Sequence, residues 1–282
     1  MRGTIALDID GTLTDGDHLP PNVIGYLKSL ADNGWRLVFI TGRTFQSGYK
    51  TLKSLPFTYY FAVQNGAIIL EMPSKRILSK KYLDRSIFNE MSSICRDEPS
   101  DFVVYGGYEN NDHCYYLPQN FSDDLMGYLH RRVESYQEIW HPFDSYDEII
   151  LDSFPSVKCF GHYDSAKVLS KRIEERLGLH VPLIRDPFGS GYYVAQATHP
   201  KISKGQALLD LIALTGERGK VIAAGDDYND VSMFAAADVN IVMATAPQDL
   251  VERADIVAQA ASEEGIIKAL EAAVIHVGNN RF

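Results

Sequence analysis

The apolar positions fall into two blocks of alternating short runs and helical repeats, separated by a long segment of a different kind. Residues 4 to 9 (TIALDI) form a nearly continuous apolar run that ends on polar and turn residues, as expected of a strand buried on both faces of a parallel sheet. Val23, Ile24, Leu27, Leu30 and Ala31 then recur at helical spacing after Pro20-Pro21, with Gly34 as a stop. WRLVFIT (35 to 41) reads as a second strand, Phe45, Tyr49 and Leu52 as a helix ending before Pro56, and YYFAVQ (59 to 64) as a third strand. Asn65-Gly66 between that run and AIIL predicts an antiparallel hairpin, because glycine takes positive φ freely.

The alternation returns near the C-terminus. Leu208, Leu209, Ile212 and Leu214 mark a helix, KVIAAG (220 to 225) a strand, Val231, Met233 and Phe234 a helix, and VNIVMA (239 to 244) a strand. Two helices follow, at roughly Pro247 to Ala254 and Ile266 to Val274. The middle segment differs. It carries a helix with Ile87, Met91 and Ile94, the runs FVVYGG and HCYYL, a helix from about Asp123, SVKCFGHY, a helix from about Ser165, VPLIR and GYYVAQAT. Strand pairs interleaved with helices predict an α+β insert at 84–196, within an α/β core made of 1–83 and 197–282. The expected core is a doubly wound, mainly parallel, Rossmann-like sheet.

Composition narrows the function classes. Lys+Arg 27 against Asp+Glu 37 leaves a net charge of −10, which repels polyanions, and no basic patch argues for a nucleic-acid partner. Small anions stay open, since one cation reverses the field locally. Cys95, Cys114 and Cys159 are too far apart to suggest a disulfide framework or a zinc site, which fits a reducing cytosol. Asp8 interrupts any signal-peptide core, and no apolar run reaches the roughly 18 residues of a membrane span, so the expectation is a cytoplasmic chain without a membrane partner. The sequon Asn120-Phe121-Ser122 is then a chance match. Nothing points to an obligate protein partner.

Four short elements carry candidate chemistry. Asp8 and Asp10 close the first strand, at the carboxyl edge where open α/β sheets bind ligands. They could simply decorate a turn, but two acids ending a buried strand repel each other unless a cation sits between them, and Mg²⁺ suits oxygen ligands. Thr41-Gly42-Arg43 ends the second strand, where a hydroxyl and an amide can hold a phosphate oxygen or merely make a turn. Lys204 opens a helix, where a cation opposes the dipole unless an anion is near; the alternative is a solvated lysine. Gly225-Asp226-Asp227-Tyr228-Asn229-Asp230 places three acids within five residues, which fits a metal site or an exposed acidic turn.

Taken together and in this order, DIDGTLT, ITGR, SKG and GDDYND resemble the haloacid dehalogenase superfamily of phosphohydrolases, and the NGA after the third strand is similar to its Cof-type branch. About 30 residues separate Asp10 from Thr41 and about 160 separate Thr41 from Lys204, so the 84–196 insert would be a cap domain between the second and third motifs. The resemblance implies a Mg²⁺-dependent phosphatase acting on a small phosphorylated metabolite of the sugar-phosphate type, through an aspartyl-phosphate intermediate. By similarity, Asp8 is the nucleophile and Asp10 the general acid and base. Asp8, the Asp10 carbonyl and Asp226 would hold Mg²⁺, with water and phosphate completing an octahedron. Thr41, Gly42, Lys204 and Asn229 would contact phosphate or substrate, and Asp230 would orient metal-bound water from behind. Arg43 and Asp227 have no assigned role.

In the insert, Tyr105, Tyr108, Tyr115, Tyr116, Trp140 and Tyr146 could stack on a sugar or base or could form ordinary core. Gly189-Ser190-Gly191 lacks the third glycine of a dinucleotide loop and reads as a hairpin, and His199 as a solvated or hinge histidine. Two other functions fit the same motifs. A phosphomutase such as a phosphomannomutase would return the intermediate instead of hydrolysing it, and a catalytically silent regulator would bind a metabolite without releasing phosphate.

Overall fold

β1 (Gly3–Leu7) and β2 (Trp35–Ile40) are buried along their whole length, as two-sided coverage of a parallel sheet requires. α1 (Pro21–Asp32) joins them, with Pro21 in its first turn and Val23, Leu27 and Leu30 turned inward. α2 (Phe45–Leu52) leads to β3 (Tyr59–Val63), which pairs antiparallel with β4 (Ile68–Met72), itself paired with β5 (Arg76–Lys80). The expected hairpin is there, but its connection is longer than two residues. Gln64, Asn65 and Gly66 all take positive φ, and the Gln64 and Asn65 amides donate to the Arg43 and Thr41 carbonyls at 2.9 and 2.8 Å. The turn is thus tied to the end of β2.

The next stretch builds a second sheet. It comprises β6 (Leu83–Asp84), α3 (Phe88–Cys95), β7 (Phe102–Tyr105), β8 (Cys114–Tyr116), α4 (Asp123–Tyr136), β9 (Trp140–Pro142), β10 (Ser153–Phe154), β11 (Ser156–His162), α5 (Tyr163–Leu177), β12 (Leu183–Arg185) and β13 (Tyr192–Thr198). Six of these strands lie in the order β12-β13-β11-β7-β8-β9, while β10 pairs with β6. Strand alternation sorts the apolar residues into two clusters. Phe102, Val104, Val157 and Cys159 pack with Met91, Ile94, Leu169 and Ile173 of α3 and α5. Val103, Tyr105, Phe160 and Val194 pack with Leu125, Tyr128 and Leu129 of α4. Tyr105, Tyr116 and Tyr146 are buried in these clusters as core.

The chain then returns to the first sheet through α6 (Lys204–Thr215), β14 (Lys220–Gly225), α7 (Val231–Ala235), β15 (Val239–Met243), α8 (Gln248–Val251), β16 (Ile256–Ala258) and α9 (Ile266–Asn279). The eight-stranded order is β16-β15-β14-β1-β2-β3-β4-β5, parallel from β16 to β3, with β4 antiparallel to both of its neighbours, β3 and β5. Ala207, Leu208 and Leu211 of α6 and Met233 of α7 cover one face over Ala6, Val38, Ile40 and Ala223. The helix expected over 247–254 condenses to α8, and β16 follows it unannounced.

This computed structural model describes residues 2–186, 188–189, 191–216 and 219–279, so Ser190 of the expected Gly189–Gly191 hairpin lies outside the described residues. Two compact units emerge, one of 1–43, 47–80 and 203–282, the other of 44–46 and 81–202. The junctions fall at 80/81 and 202/203 rather than 83/84 and 196/197, because β6 pairs with β10 and β13 runs on to Thr198. Among the described residues, no helix is long and apolar enough to cross a membrane.

Candidate active site

Three adjacent strands, β14, β1 and β2, end side by side in the first unit. Leu7 is in register with Ala224 and Phe39, so Asp8, Asp226 and Thr41 follow at neighbouring strand ends, and the Asp8 amide donates to the Ala224 carbonyl at 3.0 Å. Donor oxygens of Asp8, Asp226 and Asp230 all lie within 4.8 Å of one another. Gly225 makes room for this: a side chain there would run into the Asp230 carboxyl. The Asp226 and Asp227 amides donate to Asp230 Oδ2 at 3.0 and 3.1 Å, which pins Asp230 beneath the turn. Asp227 Oδ1 accepts from the Tyr228 amide at 2.7 Å, so this acid caps the turn.

Lys204 enters from the first position of α6, whose N-cap is Ser203. It is 1% exposed, and its Nζ lies 2.8 Å from Asp8 Oδ1 and 2.6 Å from Asp230 Oδ1. That answers the mismatch with the helix dipole: the counter-charge comes from two carboxylates of the chain itself. Burial works against the ammonium, but Asp230 and Asp8 outweigh it and push its pKa up. One cation does not neutralise three acids. Burial pushes the Asp8 carboxyl up to about 7 despite Lys204, with Asp230 and Asp10 adding to the rise. Burial, then Asp8 and Asp230, push Asp226 up to about 9. Hard oxygen donors, closely grouped and short of positive charge, fit Mg²⁺.

Thr41 is buried, and its Oγ1 accepts from the Arg43 amide at 3.1 Å, leaving the hydroxyl proton available to a phosphate oxygen. Gly42 sits in the bend after β2. Asn229 Oδ1 is buried without a hydrogen-bond partner, a valence left for a ligand. Asp10 stands apart from the acidic group: a tight turn, with the Gly11 amide donating to the Thr14 carbonyl at 3.0 Å, carries it to the Arg43 side chain. Its carboxylate is held by Arg43 Nε at 2.8 Å and by Nη2. Two features escaped sequence reasoning. Asp230 belongs to the acidic group itself and shares Lys204, and Arg43 also reaches Thr51 Oγ1 at 3.0 Å. The repeated acid in Asp-Asp-x-x-Asp hinted at the first, but nothing in the sequence marked Thr51.

A family model for haloacid dehalogenase-like hydrolases matches residues 5–270. The chain belongs to that family. A Haemophilus influenzae protein provisionally named a phosphatase is 26% identical to this hydrolase over 273 residues, covering 96% of this chain and 98% of its own length. The pyridoxal phosphate phosphatase of Escherichia coli is 23% identical over 269 residues, covering 90% of this chain and 92% of its own. Among solved structures, a haloacid dehalogenase-like hydrolase from Bacteroides thetaiotaomicron superposes on this fold with a TM-score of 0.76 at 21% identity, covering 97% of this chain and 100% of that one. Names of relatives make a phosphoric monoester hydrolase the activity consistent with membership.

Proposed function

We propose that the chain is a Mg²⁺-dependent phosphatase that hydrolyses a phosphate monoester of a small metabolite, of the sugar-phosphate type, through an aspartyl-phosphate on Asp8. The observation that carries this reading is Lys204, a buried ammonium shared by Asp8 and Asp230 beside Asp226 at the ends of adjacent strands. Names of relatives support the substrate class, since the Escherichia coli protein is named for a phosphorylated small molecule. Asp8, the Asp10 carbonyl and Asp226 would hold Mg²⁺, which when bound neutralises the charge of a phosphate dianion.

In the first step an Asp8 oxygen attacks phosphorus, the bond from phosphorus to the ester oxygen breaks, and Asp10 passes a proton to the departing alkoxide. Lys204, held on Asp8 and Asp230, offsets with its charge the negative charge that builds on the equatorial oxygens. The Thr41 hydroxyl and the Gly42 amide donate to those oxygens, while Asn229 Oδ1, an acceptor, would take a donor group of the substrate. In the second step Asp10, now ionised, takes a proton from water as the water oxygen attacks phosphorus, freeing the Asp8 carboxylate and inorganic phosphate. Asp230, held by two backbone amides, keeps Lys204 and Asp226 in place. The 81–202 unit is the proposed cap.

The test is release of inorganic phosphate from a panel of sugar phosphates, nucleotides, pyridoxal phosphate and flavin mononucleotide, with Mg²⁺ and with chelator. Phosphate release from at least one sugar phosphate that stops in chelator is expected. Isomerised ester without free phosphate would replace the reading by a mutase, and silence across the panel would contradict both.

A further inference from the structure

We infer that Arg43 is a positioning residue for Asp10, and that Thr51 fixes Arg43 in turn. The inference rests on the acid and base role proposed for Asp10. Three guanidinium nitrogens are engaged: Nε on Asp10 Oδ2 at 2.8 Å, Nη2 on Asp10 Oδ1, and Nη1 on Thr51 Oγ1 at 3.0 Å. A planar fork that meets both oxygens of a carboxylate fixes its plane as well as its place, which a lysine ammonium cannot do. The Arg43 main chain is fixed too, its amide on Thr41 Oγ1 at 3.1 Å and its carbonyl under the Gln64 amide at 2.9 Å.

Burial is graded along this chain of contacts. Thr51 is 2% exposed, the Arg43 side chain 16% and the Asp10 side chain 39%. An ion pair with so exposed a partner adds little to fold stability. What the arrangement does achieve is a working end in reach of solvent and substrate, set on a buried anchor. Nor does the fork block chemistry. The two carboxylate oxygens offer about four lone-pair sites, and the fork takes one on each. Each Asp10 oxygen therefore keeps a lone pair facing away from the fork while it is held. Without the fork the carboxyl turns freely about its last bond, and displacements of about 1 Å at a reacting group cost roughly 10²-fold in rate.

The experiment compares an alkyl sugar phosphate with p-nitrophenyl phosphate, whose acidic leaving group needs no proton. Arg43→Lys keeps the charge and removes the fork, and Thr51→Val removes the anchor. With the alkyl ester, Arg43→Lys is expected to lower kcat about 10- to 100-fold with little change in KM, and Thr51→Val to lower it several-fold. The single-turnover phosphorylation rate from the aryl ester should fall far less. Thr51→Ser keeps the hydroxyl and should restore the rate, which separates the hydrogen bond from altered packing. On an Asp10→Asn background, Arg43→Lys should add almost nothing. Equal losses on both esters, a rate gain, or an additive loss on Asp10→Asn would overturn the inference while leaving Asp10 its role. If Asp10→Asn itself failed to distinguish the esters, the acid and base assignment would fall, and the inference with it.

Discussion

At the scale of single residues, the acidic group sets a pH dependence with a definite sign. The folded protein holds Asp8 at about 7 and Asp226 at about 9, both above the ordinary carboxylate value of an unfolded chain. Raised carboxyls favour folding when protonated, so their contribution is complete below about pH 4 and is lost as pH rises through 7 and 9. The proposed Mg²⁺ would take the ionised form and displace these protons, so its affinity should rise by up to about ten-fold per pH unit for each proton released. Calorimetry of Mg²⁺ binding in two buffers of different ionisation enthalpy, between pH 6 and 9, measures both quantities. Affinity flat across that range, with no proton release, would contradict the description of the site. Asp226→Asn should reduce the number of protons released.

These residues were legible to different degrees. Asp8 and Asp226 could be picked out because each ends an apolar run, and a buried strand end brings its next residue to the sheet edge. Lys204 was visible as a cation on the wrong end of a helix, though its partners were not. Arg43 could not be assigned, because the deciding contact, Thr51, is a hydroxyl on a short helix and leaves no mark on hydrophobic periodicity.

At the scale of elements, α6 is the support on which Lys204 depends. Its second residue, Gly205, sits so close to α7 that a β-carbon would overlap the Ser232 carbonyl, and the Gly205 amide donates to Ser232 Oγ at 3.0 Å. Gly205→Ala would force α6 away from α7 by about 1 Å or more and carry Lys204 with it. Overpacking of this kind costs about 1–3 kcal/mol, and the expected result is a lower denaturation midpoint together with a fall in kcat of at least about ten-fold. Unchanged values for both, from urea titration and steady-state assay, would show that α6 and α7 tolerate the shift. Long elements were readable because burial on both faces writes a continuous apolar run, as in β1, β2 and β14. Short and edge strands were read unevenly: β8 and β12 lie within HCYYL and VPLIR, but others left no signal. β5 has no buried residue, and β6, β10 and β16 span two or three residues, too few for a period to show.

At the scale of the whole molecule, each compact unit has its own hydrophobic clusters, and the residues proposed for catalysis all come from the first unit, brought together from positions 8 to 230 by strand order. Parallel register places the ends of β14, β1 and β2 together, so Asp8, Thr41 and the acidic turn from Asp226, distant in sequence, share one edge. Everything proposed for that edge depends on a covalent bond between phosphorus and Asp8. The most direct measurement is rapid acid quenching with a substrate labelled in its phosphoryl group. Wild-type protein and Asp10→Asn should retain label on the protein, stable in acid and released by hydroxylamine as an acyl-phosphate requires, with more accumulating in Asp10→Asn when the leaving group is an aryl alcohol. Asp8→Asn should retain none. Label on Asp8→Asn, or turnover by the wild type with no trapped phosphoprotein while Asp8→Asn remains active, would contradict the account.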